Sequence, residues 1–230
     1  AILVVSGADG VQGHTHTLWK LLERYGVPTF LFVNKMDLAG AEKTALLGEL
    51  KSKLDEGCVD MGDQEALCEQ AALCDESLLE DYLETGTIAD AALTALIAQR
   101  KLFPCWFGSA LKLEGVEDFL RGLEHYAPRP VYGEEFGARI FKISRDSQNN
   151  RLAWMKITGG SLKVKTVLEG PGWSDKADQL RVYSGIKFQP VDVAPAGAVV
   201  AVTGLSSAAA GQGLGFEAEG APPALEPALT

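Results

Sequence analysis

The stretch Phe30–Asp37, which reads FLFVNKMD, places the strongest constraint on the fold of this chain. An apolar run from Thr29 to Val33 follows Pro28 and stops abruptly at a polar segment. A run this short, bounded by turn residues and without polar alternation, predicts a strand buried on both faces. Such strands belong to parallel sheets, whose ligands bind at the carboxyl ends of the strands. The polar segment after Val33 therefore lies where a binding site is expected.

Two further strands are predicted in the first half of the chain. Phe103–Phe107 is apolar and leads into a turn of small residues, Gly108–Leu111. Ala1–Val5 is also apolar throughout. Segments with a helical apolar stripe follow each strand, and this βαβαβα order predicts an α/β unit with a parallel sheet and helices on both faces.

Charge and cysteine content exclude several classes of function. The net charge is −10, and residues 1–130 carry 21 acidic and 11 basic residues, whereas residues 131–230 carry ten of each. Twelve acidic residues and no basic one lie between Lys53 and Arg100, so this interval repels RNA. The four cysteines lack metal-site spacing and predict reduced thiols in a cytoplasmic protein, with no metal site. No apolar run reaches the length of a membrane span, and the sequence predicts no signal peptide.

The polar segments after the two strands resemble the two halves of one binding site. Asn34, Lys35 and Asp37 form an N-K-x-D sequence that resembles the guanine-specificity motif of P-loop GTPases. Ser109, Ala110 and Leu111 resemble the S-A-x loop of the same proteins. The alternative interpretation is that both are ordinary turns, with Asp37 capping the next helix.

The chemistry of these residue types suits a guanine base. An ionised Asp37 can accept hydrogen bonds from N1–H and the 2-amino group of guanine, a pair that adenine lacks. Lys35 can lay its methylene stem along the base, and Asn34 can tie neighbouring backbone together. The resemblance implies that the backbone N–H of Ala110 meets guanine O6 and that the hydroxyl of Ser109 braces the aspartate.

From residue 131 the pattern changes to short strands separated by turns. The predicted strands fill an all-β domain over about 131–220, and their spacing suggests a closed barrel: Gly137–Ile143, Arg151–Thr158, Leu162–Leu168, Gln179–Tyr183 and Ala198–Thr203. Gly211–Gly215 has the spacing G-x-G-x-G with no helix after it, which predicts a barrel loop and not a dinucleotide site. Residues 221–230 contain three prolines and are interpreted as the start of a linker to a third domain.

Longer segments resemble the same class of proteins over nearly the whole chain. VSGADGVQGHT (5–15), DESLLEDYLETG (75–86) and FKISRDSQNNRLAWMKITGGSLKVKTVL (141–168) resemble translational GTPases of the elongation factor G class. The first segment is most similar to the tetracycline-resistance ribosomal protection proteins. The resemblance implies that residues 1–130 are the C-terminal half of a GTP-binding domain, with an acidic helical insertion at about 55–100. It also implies a ribosome partner, with the barrel contacting ribosomal RNA through a patch such as Lys156, Lys163 and Lys165.

The chain departs from the family pattern in one respect. The sequence contains neither G-x-x-x-x-G-K-[ST] nor D-x-P-G-H, the motifs that hold phosphate, Mg²⁺ and the attacking water. The expectation is therefore a fragment of a longer GTPase, in which GTP or GDP and Mg²⁺ are held by residues upstream of Ala1. The fragment has no catalytic residue of its own and should hydrolyse nothing.

Two expectations follow from that interpretation. The family's P-loop strand lies beside the strand Ala1–Val5, so without it this apolar edge should be exposed and should pair with a second copy or make the chain poorly soluble. The rival function is a non-catalytic module that docks on the ribosome or on a protein. The residues do not decide whether the longer protein protects against tetracycline, translocates tRNA or recycles a termination factor.

Overall fold

The computed structural model describes residues 1–219 and divides the chain into two compact units. The first unit is Ala1–Arg129, and the second begins at Pro130. The segment 221–230, predicted to begin a linker, lies outside the described residues.

The first unit is a four-stranded parallel sheet with six helices. The strands are paired in the order β1-β2-β4-β3: β1 Ile2–Ser6, β2 Phe30–Asn34, β3 Cys58–Asp60 and β4 Phe103–Phe107. The helices are α1 Gly13–Arg24, α2 Lys43–Lys53, α3 Gln64–Ala72, α4 Glu76–Thr85, α5 Asp90–Ala98 and α6 Val116–Tyr126. The longest has 12 residues, and no helix within residues 1–219 is long and apolar enough to cross a bilayer.

Strand β2 is buried because it lies inside the sheet with an apolar core on each face. Alternate residues point to opposite faces of a strand, so Phe30 and Phe32 pack with α3, α5 and α6, whereas Leu31 and Val33 pack with α1 and α2. The prediction of a parallel sheet covered by helices on both faces is confirmed. The carboxyl ends of β1, β2 and β4 lie at one edge and position the loops that follow them.

The acidic interval was predicted to be helical, and this is wrong at its beginning. The three residues Cys58–Asp60 form β3, which pairs in parallel with β4. All three are buried, and Val59 is packed in the core shared with α3 and α5. A three-residue strand is too short to show the alternation of apolar and polar residues that identifies a strand from sequence. Its extended conformation is therefore decided by its pairing with β4.

The second unit consists of antiparallel strands around one core. The largest sheet has the order β11-β10-β13-β6-β5-β14, and β12-β7 and β8-β9 form two further pairs. The strands are β5 Gly137–Arg145, β6 Arg151–Gly159, β7 Ser161–Lys163, β8 Val167–Gly170, β9 Trp173–Lys176, β10 Gln179–Ser184, β11 Lys187–Val191, β12 Val193–Pro195, β13 Val199–Thr203 and β14 Gly213–Gly215. Residues from all three sheets contribute to the core. The all-β character of this half is confirmed, and closure into a barrel stays a prediction.

Two local predictions in the second unit are wrong. Leu162–Leu168 is not one strand, since the chain turns between β7 and β8 at Lys165, whose φ of 67° is left-handed. Gly211–Gly215 is not only a loop, because its last three residues form β14 and pair with β5. β7 pairs with β12 and β14 pairs with β5, partners distant in sequence that local patterns do not reveal.

Candidate functional site

A single side chain joins the loops that follow β2 and β4. The Oδ1 atom of Asn34 accepts hydrogen bonds from the backbone N–H of Lys35 and of Ala110, both at 2.8 Å. Two backbone bonds add to this link, since Met36 N–H donates to the carbonyl of Gly108 at 3.0 Å and Gly7 N–H donates to the carbonyl of Asn34 at 2.7 Å. The loops after β1, β2 and β4 are therefore held together as one rim.

Lys35 has a backbone conformation that few side chains adopt. Its φ is 63°, in the left-handed region, which costs about 1–2 kcal/mol for a residue with a Cβ atom. The hydrogen bond from its N–H to Asn34 stabilises this conformation. The left-handed turn leaves the Lys35 side chain exposed beside the loop.

Asp37 and Ser109 form the second connection between the same loops. The interaction of the Ser109 hydroxyl with the carboxylate of Asp37, with a smaller contribution from Lys112, holds the pKa of Asp37 below its usual value. Ser109 is buried, and its Oγ atom accepts from the backbone N–H of Lys112 at 3.3 Å. The ammonium of Lys112 lies 3.8 Å from Oδ2 of Asp37. Asp37 is therefore ionised near neutral pH and is fixed by a buried neighbour.

The loop after β4 is closed tightly on itself. Ser109 and Glu114 exchange two backbone hydrogen bonds of 3.0 Å each. A Cβ atom added at Gly108 would lie 2.1 Å from the carbonyl oxygen of Glu114, so only glycine fits there. This closure leaves Leu111 at the tip with its side chain 89% exposed.

The structure brings four of the six predicted site residues into direct contact. Asn34 bonds to Ala110, and Ser109 interacts with Asp37, whereas Lys35 and Leu111 lie next to these pairs with exposed side chains. The N–H of Ala110 donates to Asn34 Oδ1, although the resemblance assigned it to guanine O6. The neighbouring N–H of Leu111 has no hydrogen-bond partner among the described residues.

Sequence reasoning missed Gly108 and Lys112. Gly108 admits the backbone of Glu114, a contact that only the folded loop reveals. Lys112 reaches both Ser109 and Asp37. Its position three residues after a serine is a weak signal, typical of side-chain-to-backbone bonds in turns.

Comparison with known proteins identifies the family of the first unit. Residues 1–129 match the model of the elongation factor Tu GTP binding domain. The chain belongs to this family. The predicted resemblance to translational GTPases is thereby confirmed.

Similar proteins extend the match into the second unit. The chain is 28% identical over 194 residues to the oxytetracycline resistance protein of Streptomyces rimosus, covering 72% of this chain and 29% of that protein. It is 26% identical over 288 aligned positions to elongation factor G 2 of Geobacter metallireducens, covering 93% of this chain and 42% of that protein. A solved structure from Thermus thermophilus matches with a TM-score of 0.81 and 24% identity, over 97% of this chain and 41% of that one. The chain thus spans less than half the length of these relatives.

Proposed function

We propose that this chain carries the guanine-recognition part of a ribosome-associated translational GTPase, followed by its β-barrel domain. Residues 1–130 are assigned to the C-terminal half of the GTP-binding domain and residues 131–220 to the barrel. In the whole cytoplasmic protein GTP is bound and hydrolysed on the ribosome, as in elongation factor G-like or tetracycline-resistance proteins. The observation that carries the proposal is the cross-link between the two loops, in which Asn34 Oδ1 accepts from Ala110 N–H and Met36 N–H donates to the carbonyl of Gly108.

The geometry supports selection of guanine over adenine. The carboxylate of Asp37 is ionised, and its interaction with Ser109 uses only one of its acceptor positions. Guanine can occupy the others with two N–H donors, whereas adenine places no such pair there. The N–H of Leu111, which has no hydrogen-bond partner among the described residues, can donate to guanine O6. Lys35 lies beside the same loop and can cover the base.

The 230 residues by themselves are proposed to bind the base without hydrolysing GTP. They contain no phosphate-binding motif and no D-x-P-G-H, so triphosphate and Mg²⁺ contacts are assigned to other parts of a longer protein. Because only the base is contacted, nucleoside binding should be weak, and the assay must be sensitive to weak binding.

Saturation-transfer NMR with free nucleosides tests the proposal. Guanosine should give a signal at millimolar concentration and adenosine much less. Asp37→Asn replaces one carboxylate oxygen, an acceptor, by an amide NH₂ donor. It should therefore weaken guanosine binding and strengthen the binding of xanthosine, which has an oxygen in place of the 2-amino group. Asp81→Asn, on the exposed side of α4, is the matched control and should leave guanosine unchanged.

Two results would reject the assignment. One is guanosine selectivity that survives Asp37→Asn. The other is the absence of selectivity in the unmodified chain, which would favour the non-catalytic docking module.

A further inference from the structure

The outer face of the six-stranded sheet carries aromatic and cationic side chains in one row. The register places Lys142 opposite Trp154, Trp154 opposite Ala201, and Ala201 opposite Arg181. Residues directly opposite each other share a face of the sheet. The neighbours Ala153, Met155, Leu180 and Val202 point the other way, into the core. The row therefore lies on the side of the sheet away from the core.

Three aromatic rings form a continuous cluster on this face. Tyr183 lies two residues beyond Arg181 and pairs directly with Phe188 on β11. The ring centroids of Trp154 and Tyr183 are 4.8 Å apart, and those of Tyr183 and Phe188 are 5.3 Å apart. The guanidinium of Arg181 lies 4.4 Å from the centre of the Phe188 ring. Phe188 nevertheless remains 46% exposed, so the cluster presents ring surface to solvent.

The cluster borders an open groove of about 740 Å³. Trp154, Tyr183 and Ile186 line it, and Ile186 is 95% exposed. A volume of this size is within the range of sites that hold a small organic ligand.

The groove is positively charged in an acidic chain. Lys142, Arg145 and Arg181 line it, and Asp146 is its one carboxylate within the described part of the chain. Asp146 is already bonded to Arg181 at 2.9 Å and to Asn150. Lys142 and Arg145 form no ion pair within residues 1–219. An anion that also offers flat ring surfaces complements this groove best.

We propose that this face binds single-stranded RNA by stacking unpaired bases on Trp154, Tyr183 and Phe188. Every base has a π face, so stacking on aromatic rings tolerates any sequence. Lys142 and Arg145 contact the phosphates that connect the stacked bases. The assignment to RNA and not DNA depends on the proposed ribosomal function, whereas the prediction of base stacking depends only on the residues of the groove.

This surface differs from the lysine patch expected from the sequence. Lys156 donates its ammonium to the carbonyl of Gly197, and Lys165 pairs with Asp178 at 3.1 Å. Lys165 therefore has a carboxylate partner, whereas Lys142 and Arg145 form no ion pair within residues 1–219. The groove instead combines Lys142 and Arg145 with a cluster of exposed rings.

Titration of the 230-residue chain with a ten-nucleotide oligoadenylate, rA10, tests the proposal. Stacking on Trp154 should quench its fluorescence, and Trp154→Phe should abolish the quenching while anisotropy still detects binding. Trp173→Phe is the matched control, and this variant should still show the quenching. The other two tryptophans, Trp19 and Trp106, are buried in the first unit.

Affinity of labelled rA10 measures the energetic contribution of the rings. Phe188→Leu should weaken binding about ten-fold, as expected for the loss of one stacked base. Tyr183→Phe keeps the ring and should bind normally. Lys142→Gln should lower the salt slope by about 0.7, the value for one phosphate contact on a single strand. Tyr25→Leu removes an exposed ring from the first unit and should have no effect.

Competing ligands test whether the groove binds unpaired bases or only negative charge. A blunt-ended RNA duplex and inorganic polyphosphate should bind at least about ten-fold more weakly than rA10, because neither offers unpaired bases to stack. Equal binding of either, or unchanged affinity in folded Phe188→Leu, would overturn the proposal. Equal binding of dA10 would overturn the assignment to RNA. Asp37→Asn should leave rA10 binding unchanged, so the guanosine test and this one fail independently.

Discussion

The link between the two site loops should be measurable as stability of the first unit. Asn34→Ala removes the oxygen that accepts from Lys35 N–H and Ala110 N–H. Each hydrogen bond contributes about 1 kcal/mol net, and both donors can bond to water after the change. The expected loss is about 2 kcal/mol, part of it because Lys35 loses the support for its left-handed turn.

Urea unfolding followed by tryptophan fluorescence checks this value. In a Trp154→Phe, Trp173→Phe background the signal comes from Trp19 and Trp106, which lie in the first unit. With a slope of about 2 kcal/mol per molar urea, the midpoint should fall by about 1 M. The variant should also lose guanosine binding, since Ala110 is no longer held.

Asn34→Asp is the matched control for the cross-link. It keeps an oxygen in place of Oδ1, so it should retain at least half of the stability that alanine removes. A midpoint shift below about 0.2 M for Asn34→Ala, or equal losses for both variants, would refute the assigned role of the oxygen.

Two further outcomes are expected. Hydrogen bonds from Asn150 and Arg181 lower the pKa of Asp146 to about 2, below its ordinary 3.8. A carboxylate whose pKa is depressed in the folded state stabilises the fold above about pH 4, and this stabilisation is lost as the pH falls towards 2. The decrease in urea midpoint caused by Asp146→Asn should therefore be largest at pH 6, smaller at pH 4 and smallest at pH 3. Strand β1 pairs only with β2 among the described strands, and its Val4 is 58% exposed, so the chain should self-associate through this edge. Val4→Lys should reduce the mass measured by light scattering, and a monomeric unmodified chain would contradict the expectation.

Much of the first unit could be predicted because its signals are local. Phe30–Val33 and Phe103–Phe107 are apolar runs of strand length, and the observed β2 and β4 coincide with them. The residue types of the candidate site were also readable, since Asn34, Asp37 and Ser109 lie in short motifs directly after these strands. The contacts between these residues could not be predicted from the sequence. The bond from Ala110 N–H to Asn34 joins residues 76 positions apart, and the sequence interpretation gave that N–H a different partner.

The sequence by itself determined the α/β and all-β halves, the family and the residues of the candidate guanine site. These depend on hydrophobic period and on motifs within a few residues of one another. Only the tertiary structure decided that Cys58–Asp60 joins the parallel sheet, that the chain turns at Lys165, and that Trp154 and Phe188 share an exposed face. The physical reason is strand register, which pairs residues distant in sequence and sets which side chains meet on a face.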